Sequence, residues 1–364
     1  MRIQQLSSTH FRNLSHDPLS LSTGVNLFVG DNGQGKTNIL EALQFFKFGR
    51  SFRTGRDTEL IKFNEEFCRM EIGVEYSRGD SEFFTAVIER SGAKRIKMND
   101  QDVAKLSALV GHYPCVLFGP HDLALVSGGP VERRRFLDMT GSMTDRVYLD
   151  ALRAYRRVLS QRNALLKRGG QRRTGRVWDE ELVRTGCVLV ERRCELVAQL
   201  AGCVTDQIDS LGMDYTVELS YESDLTGPFP EGVLREEHFA ARLRAVEDEE
   251  MRRRTTLVGP HRDDMKLVLD GRDLRRFGSQ GQKRLLAVLL RLSELSYLEQ
   301  HLGEPCVLLL DDLFSELDEP VSKKLQNMLN GERQLFVTSP VMMDWHGGEA
   351  NKVFRVANGT ITGA

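Results

Sequence analysis

The chain switches repeatedly between two hydrophobic periods, and each switch marks an element. RIQQLSST at the start and VNLFVG soon after are apolar runs of strand length joined by a polar link. VNLFVG runs into a glycine-rich loop. NILEALQFFKFG follows, with Ile39, Leu40, Leu43 and Phe46 at helical spacing, so strand, loop and helix come in that order. Period-two alternation returns in FCRMEIGVEY and FFTAVIER on either side of Ser77-Arg78-Gly79-Asp80, which predicts an antiparallel meander over residues 66–99. A proline-bounded strand, Pro114 to Phe118, leads into GPHDLALVSGGP, where glycines and prolines predict loops or a short helix.

From about residue 131 to 208 the pattern is helical, interrupted at RGGQRRTGR, which reads as an exposed hairpin between two helices. YTVELSY is again a strand, and LREEHFAARLRAVEDEEMRRR reads as one charged helix. The last third alternates: MKLVLDG as a strand, a leucine-rich helix opening at SQGQ, PCVLLLDD as a buried strand, a helix from about Pro320, QLFVTS, and a hairpin VFRVANGTIT. No repeat or low-complexity linker divides these segments. The expected architecture is an α/β core built by both ends of the chain, residues 1–125 and 255–364, with a mainly helical lobe, 126–254, inserted between them.

Bulk composition narrows the class only a little. A chain of 364 residues, 40% hydrophobic and 28% charged, suffices for one large or two ordinary domains. No apolar run approaches the ~20 residues that span a bilayer, and MRIQQLSSTHF lacks the apolar stretch of a secretory signal, so a cytoplasmic location without membrane partners is the expectation. The six cysteines contain no C-x-x-C pair and read as reduced thiols. The net charge of −2 favours no nucleic-acid partner, but thirteen Arg and Lys between Arg133 and Arg176 face only Glu132, Asp138, Asp145 and Asp150. Such a run is either a solvated helix face or a phosphate-contacting surface.

Two segments carry chemistry. Gly30-Asp31-Asn32-Gly33-Gln34-Gly35-Lys36-Thr37 fits G-x-x-x-x-G-K-[ST] between a strand and a helix. Glycines there let backbone N–H groups converge on phosphate oxygens, Lys36 would neutralise the β and γ phosphates of ATP, and the Thr37 hydroxyl would ligate Mg²⁺. Much later, Val307-Leu-Leu-Leu310 ends in Asp311-Asp312, an apolar strand presenting two acids at its carboxyl end. Asp311 would hold Mg²⁺ and Asp312 would polarise the attacking water. Nearly the whole chain separates the two segments. In between, Ser279-Gln280-Gly281-Gln282 opens the leucine-rich helix. A plain N-cap would account for Ser279, but a late acid strand preceded by S-x-G-Q and followed by S-x-L-D has the layout of the ATP-binding-cassette ATPases.

Within that class the chain resembles the RecF family, bacterial recombination-repair ATPases of the SMC-like branch. The likeness rests on Phe11-Arg12-Asn13-Leu14, GDNGQGKTNILEAL, the SFRT that follows, FGPHDLALVSGGPVERRRFLD, LSQRNALLK, VGPHRDD, GSQGQKR and LLLDDLFSELD. It implies a P-loop ATP-binding-cassette (SMC-like) head with an inserted mainly helical lobe. By residue it implies Gly30 to Thr37 as the phosphate loop, Asp311 as the magnesium acid and Asp312 as the hydrolytic acid. Ser279, Gln280, Gly281 and Gln282 become a signature that reaches the γ-phosphate held by a second protomer, Ser315 to Asp318 a dimer-contacting loop, and Arg12 a neighbour of the adenine or ribose. It also implies ATP-dependent homodimers at gapped DNA or single-strand/double-strand junctions, weak DNA-stimulated ATP hydrolysis, and cooperation with RecO and RecR in loading RecA during DNA repair, recombination and replication, within the SOS response to DNA damage.

Departures bear on the mechanism. Asp312 stands where transporter cassettes carry Glu, Thr338 and Ser339 stand where they carry His, and FGPHDL offers no glutamine for the loop that senses Mg²⁺. These favour a slow switch over a fast motor. Two other readings stay open: ATP as a structural dimer clamp with incidental turnover, and an ATP subunit of a transporter. His261 and His121 read as structural.

Overall fold

The computed structural model describes the chain except for residues 170–171, 227–234, 317–318, 330–332, 344, 346–350 and 364. It divides into two compact units, Met1–Asp122 with Leu298–Ala364, and Leu123–Tyr297.

The first unit holds two six-stranded sheets. One comprises β1 (Arg2–Phe11), β2 (Leu14–Ser20), β4 (Phe67–Glu75), β5 (Ser81–Glu89), β6 (Lys94–Met98) and β7 (Gln101–Asp102), antiparallel in the order β2-β1-β4-β5-β6-β7. The other comprises β3 (Val25–Val29), β8 (Cys115–Phe118), β12 (Val307–Asp311), β13 (Leu335–Ser339), β14 (Lys352–Ala357) and β15 (Thr360–Gly363), in the order β15-β14-β3-β13-β12-β8. All its pairings are parallel except β14 with β15. Strands covered on both faces should be apolar throughout, and β12 and β13 are buried at every position.

Helix α1 (Lys36–Phe48) joins the two sheets through one core, where Phe45, Phe46, Ile39 and Leu43 meet Phe28, Phe84 and Phe336. Phe28 stacks on Phe354 with ring centroids 5.0 Å apart, fixing the middle of the parallel sheet. Because β3, β13 and β12 run side by side in the same direction, the loops after β3 and β12 leave from one edge. Ligands of open α/β sheets bind at such carboxyl edges.

The second unit is mainly helical: α2 (Leu123–Ser127), α3 (Pro130–Thr144), α4 (Arg146–Lys167), α5 (Arg172–Ser210), α6 (Arg235–Ala245), α7 (Glu247–Arg253), α8 (Leu274–Phe277) and most of α9 (Gln280–Leu302). It also carries a small antiparallel sheet of β9 (Val217–Glu222), β10 (Asp264–Leu269) and β11 (Arg272–Asp273). Asp145 caps α4, its carboxylate accepting from the N–H groups of Val147 and Tyr148. Below the cap, Tyr148, Leu152, Tyr155 and Val158 line the buried face of α4 at helical spacing.

Three expectations meet a different local outcome. The single charged helix breaks at Val246 into α6 and α7. In the expected hairpin, α4 ends at Lys167 and α5 is already helical from Arg172, while 170–171 lie outside the described residues. The boundary expected at 254/255 falls inside the second unit, because β10 pairs with β9 along six residues, from Asp264 opposite Glu222 to Leu269 opposite Val217.

A buried polar network ties this unit together. Arg193, 3% exposed, donates to Asp138 (2.7 Å), the Tyr148 hydroxyl (3.0 Å), the Tyr221 hydroxyl (3.1 Å) and the Pro260 carbonyl (2.7 Å). Tyr221 in turn donates to Asp263 at 2.6 Å, and burial pushes the Asp263 carboxyl up. Breaking one partner of a buried charge pair costs ~3–5 kcal/mol. We therefore expect Arg193→Ala to lower unfolding free energy by that order in urea titration, with helical content retained in dilute buffer.

Candidate nucleotide site

The phosphate-binding geometry is built from backbone. Gly30 lies against β14 so closely that a side chain there would meet the Val356 carbonyl oxygen at 2.1 Å. Gly35, at φ 114°, caps α1 in the left-handed region, where a side chain would meet the Asn13 amide at 2.7 Å. Only glycine fits either position. Asn13 holds the loop from the other side, donating to the Gln34 carbonyl at 3.1 Å and accepting from Asn38 at 2.8 Å. Lys36, 4% exposed, folds back to donate to the carbonyls of Gly30 (2.6 Å) and Asp31 (3.2 Å). Asp31, Asn32 and Gly33 form the exposed crown of the loop.

The acid strand meets this loop. Thr37 Oγ1 donates to Asp311 Oδ1 at 2.9 Å across 274 positions of sequence. Thr338, on the strand between, donates to the same oxygen at 2.9 Å and accepts from the Asp312 N–H at 3.0 Å. Asp312 itself adopts φ 48°, a left-handed conformation that Asp tolerates better than most residues. A hydroxyl and a carboxylate oxygen side by side suit Mg²⁺, which keeps several waters and substrate oxygens and needs few protein ligands. Among the described residues no cluster of three or more His, Cys, Asp or Glu could hold a metal alone.

Arg12, at φ 52°, is gripped by Glu41 through bonds of 3.0 and 2.9 Å and donates to the Glu59 carbonyl at 2.9 Å. Glu41 is fully buried on α1. It also accepts from Ser51 Oγ (2.5 Å) and Arg53 (3.3 Å), while Arg53 reaches Asn38 at 2.6 Å. The FRN and SFRT segments thus converge on one carboxylate behind the phosphate loop. Sequence reasoning named Arg12 and missed Glu41, Arg53, Asn13 and Asn38. An acid flanked by Leu40, Ala42 and Leu43 on a core helix was the available signal.

Ser279 to Gln282 belong to the second unit and open α9. Gln282 N–H donates to Ser279 Oγ (3.2 Å) and Ser279 N–H to Gln282 Oε1 (2.9 Å), a reciprocal capping box. Ser279, Gln280 and Gly281 are exposed, whereas Leu286, Leu289, Leu290 and Leu292 behind them are core. Ser315 Oγ donates to the Asp312 carbonyl at 2.7 Å; Leu317 and Asp318 of the expected dimer loop lie outside the described residues.

The two histidines are held by ordinary contacts. His121 stacks on Phe52 at 5.2 Å. His261 Nδ1 bonds the Tyr155 hydroxyl (2.7 Å) and Nε2 the Thr256 carbonyl (3.1 Å), and burial pushes its pKa down to about 4.

Fold and site together define a P-loop ATPase head of the cassette type. The chain belongs to the RecF/RecN/SMC N-terminal domain family, whose model matches residues 2–362. It is 37% identical to the DNA replication and repair protein RecF of Halothermothrix orenii, covering 100% of this chain and 99% of that one. Identity to the RecF of Symbiobacterium thermophilum is 39%, covering 99% and 98%. A solved structure of the recombination mediator protein RecF with ATP superposes with a TM-score of 0.92 at 33% identity, covering 100% of this chain and 97% of that one. An SMC head bound to a winged-helix domain of ScpA matches at a TM-score of 0.58 and 15% identity, covering 100% and 97%, and shares the fold alone.

Two outcomes follow from this geometry. Glu41→Gln keeps the shape and removes the charge that Arg12 and Arg53 share, so it should cost about 1.5–3 kcal/mol in chemical denaturation. For His261 the folded state holds the neutral ring down to about pH 4 while the unfolded chain takes up a proton near 6.5. Its contribution to stability is therefore complete above pH 6.5 and is lost as pH falls toward 4. The melting temperature of His261→Gln should depend less steeply on pH than that of the parent across that window.

Proposed function

We propose that this protein is a DNA-binding ATPase of recombinational repair and replication-fork maintenance. ATP with Mg²⁺ closes a homodimer at gapped DNA or single-strand/double-strand junctions, and slow, DNA-stimulated hydrolysis opens it, assisting RecO and RecR in loading RecA. The observation that carries the reading is the contact of Thr37 with Asp311, which joins the phosphate loop to the acid strand. The names of the full-length relatives support its biological setting.

In this reading the N–H groups of Gly33 to Thr37 and the α1 terminus cradle the phosphates. Lys36 exchanges its two carbonyl contacts for β- and γ-phosphate oxygens. Thr37 and Asp311 would hold Mg²⁺, which when bound neutralises charge on those oxygens. Asp312 orients water for in-line attack, with Thr338 fixing its backbone. Arg12 borders the adenine or ribose, held in place by Glu41. Residues 255–297, although packed with the helical lobe, supply the ATPase with its signature: Ser279, Gln280, Gly281 and Gln282 meet the γ-phosphate held by a second copy.

ATP as a mere clamp is the second reading, favoured by the short Asp312 and by Thr338 in place of a histidine. Sedimentation with ATP, ADP or no nucleotide separates the possibilities. Wild type should dimerise only with ATP, and Ser279→Arg should stay monomeric; a mutant that still dimerised would refute the shared site. Asp312→Asn should dimerise with ATP yet hydrolyse it about 100-fold more slowly. Survival of repair in cells carrying Asp312→Asn would establish the clamp.

A further inference from the structure

The structure sorts the basic run into two populations. Arg133 is 3% exposed and bidentate to Asp264, and Arg162 is buried between Asp179 and Glu250, each at 2.7 Å. Arg156 is half-exposed and pairs with Asp138 at 2.8 Å. These arginines hold the lobe together. The side chains of Arg172, Arg173 and Arg176 lie outside the described residues.

Arg146, Arg153, Arg157 and Arg168 are exposed, and their spacing of seven, four and eleven residues puts them on one side of the helical run. Lys167 is exposed on the flank of that line. The opposite side, Tyr148, Leu152, Tyr155 and Val158, is core. At 1.5 Å per residue the line from Arg146 to Arg168 is about 33 Å long, close to one turn of B-DNA at roughly 34–36 Å. Asp150 is the one acid in α4 itself, shared between Arg146 (3.2 Å) and Arg153 (3.7 Å), so the stripe along this helix keeps a net positive charge. Glu181 on α5, which also feels Arg157, is engaged by Arg184 through bonds of 2.9 and 2.6 Å.

We infer that the solvent face of α4 seats duplex DNA, its guanidinium groups tracking the phosphates along about one helical turn. Single-strand binding relies on bases stacked on exposed aromatic rings, and the aromatic residues of α4, Tyr148 and Tyr155, are 1% and 2% exposed. Charge without an aromatic platform or base-reading amides selects a backbone and no particular sequence. This assignment rests on the reading that the protein acts on DNA, and it adds the surface that holds it.

The test is binding of a labelled duplex oligonucleotide across a salt series, with ATP present, for the full chain. Arg153→Gln/Arg157→Gln is compared with Arg78→Gln/Arg95→Gln, which removes the same charge from side chains 73% and 71% exposed in the first unit. The α4 variant should bind about tenfold or more weakly, with a salt slope shallower by roughly 0.9 for each lost phosphate contact. The control should match wild type, and both variants should keep wild-type ATP-dependent sedimentation. Equal behaviour of the two variants overturns the assignment, as does a loss confined to single-stranded DNA, or duplex RNA competing as well as duplex DNA. A wild type that binds no duplex at low salt overturns the DNA reading itself, whereas wild-type binding insensitive to the α4 changes overturns only this surface.

Discussion

One hydroxyl group in the middle of the parallel sheet carries more of this structure than its size suggests. Thr338 donates to Asp311 and accepts from the backbone of Asp312, while Asp311 receives Thr37 from the far side. Each contact depends on β13 lying in register between β3 and β12, with Thr338 opposite Asp311 and next to Phe28 of the phosphate-loop strand. The stacked phenylalanines and the fully buried strands β12 and β13 hold that register. A slip of one residue would turn Thr338 to the other face and separate loop from acids.

Behind the loop, the same logic is expressed in charge. Glu41 is a carboxylate with no water-exposed surface, stable there because Arg12, Arg53 and Ser51 all donate to it. Two chain segments, one before α1 and one after it, are fastened to the phosphate-loop helix at a single point. The second unit repeats the arrangement with the sign exchanged: Arg193 is the buried charge, and Asp138, two tyrosines and a carbonyl satisfy it.

What could be read from the sequence was what is local. The phosphate loop spells its own geometry, since Gly30 and Gly35 are needed where a neighbour comes too close or φ is positive. The acid strand declares itself by four apolar residues ending in two aspartates. Ser279 and Gln282, three apart, foretell a capped helix. What could not be read was pairing at a distance. The β9–β10 ladder moved 255–297 into the second compact unit, and nothing within either strand says which neighbour it will choose. Charge was legible in the run from Arg133 while burial was not, so Arg133, Arg162 and Arg153 looked alike until packing distinguished two internal struts from a solvent-facing side chain. Glu41 was visible as an anomaly, but its partners lie 29 residues before and 10 or more after it.

The capping box at the head of α9 has a thermodynamic consequence. Ser279 and Gln282 already satisfy each other's backbone N–H groups, so this turn is ordered before any anion arrives, and the rotamers of both side chains are already fixed. The serine oxygen serves as an acceptor in the box, which leaves its own hydrogen available to donate outward, alongside the helix's positive end. In the proposed shared site an incoming phosphate would therefore find a preorganised receptor and forfeit little conformational entropy on docking. Truncating this serine would then do two things at once, removing a donor and loosening the turn that aims the others.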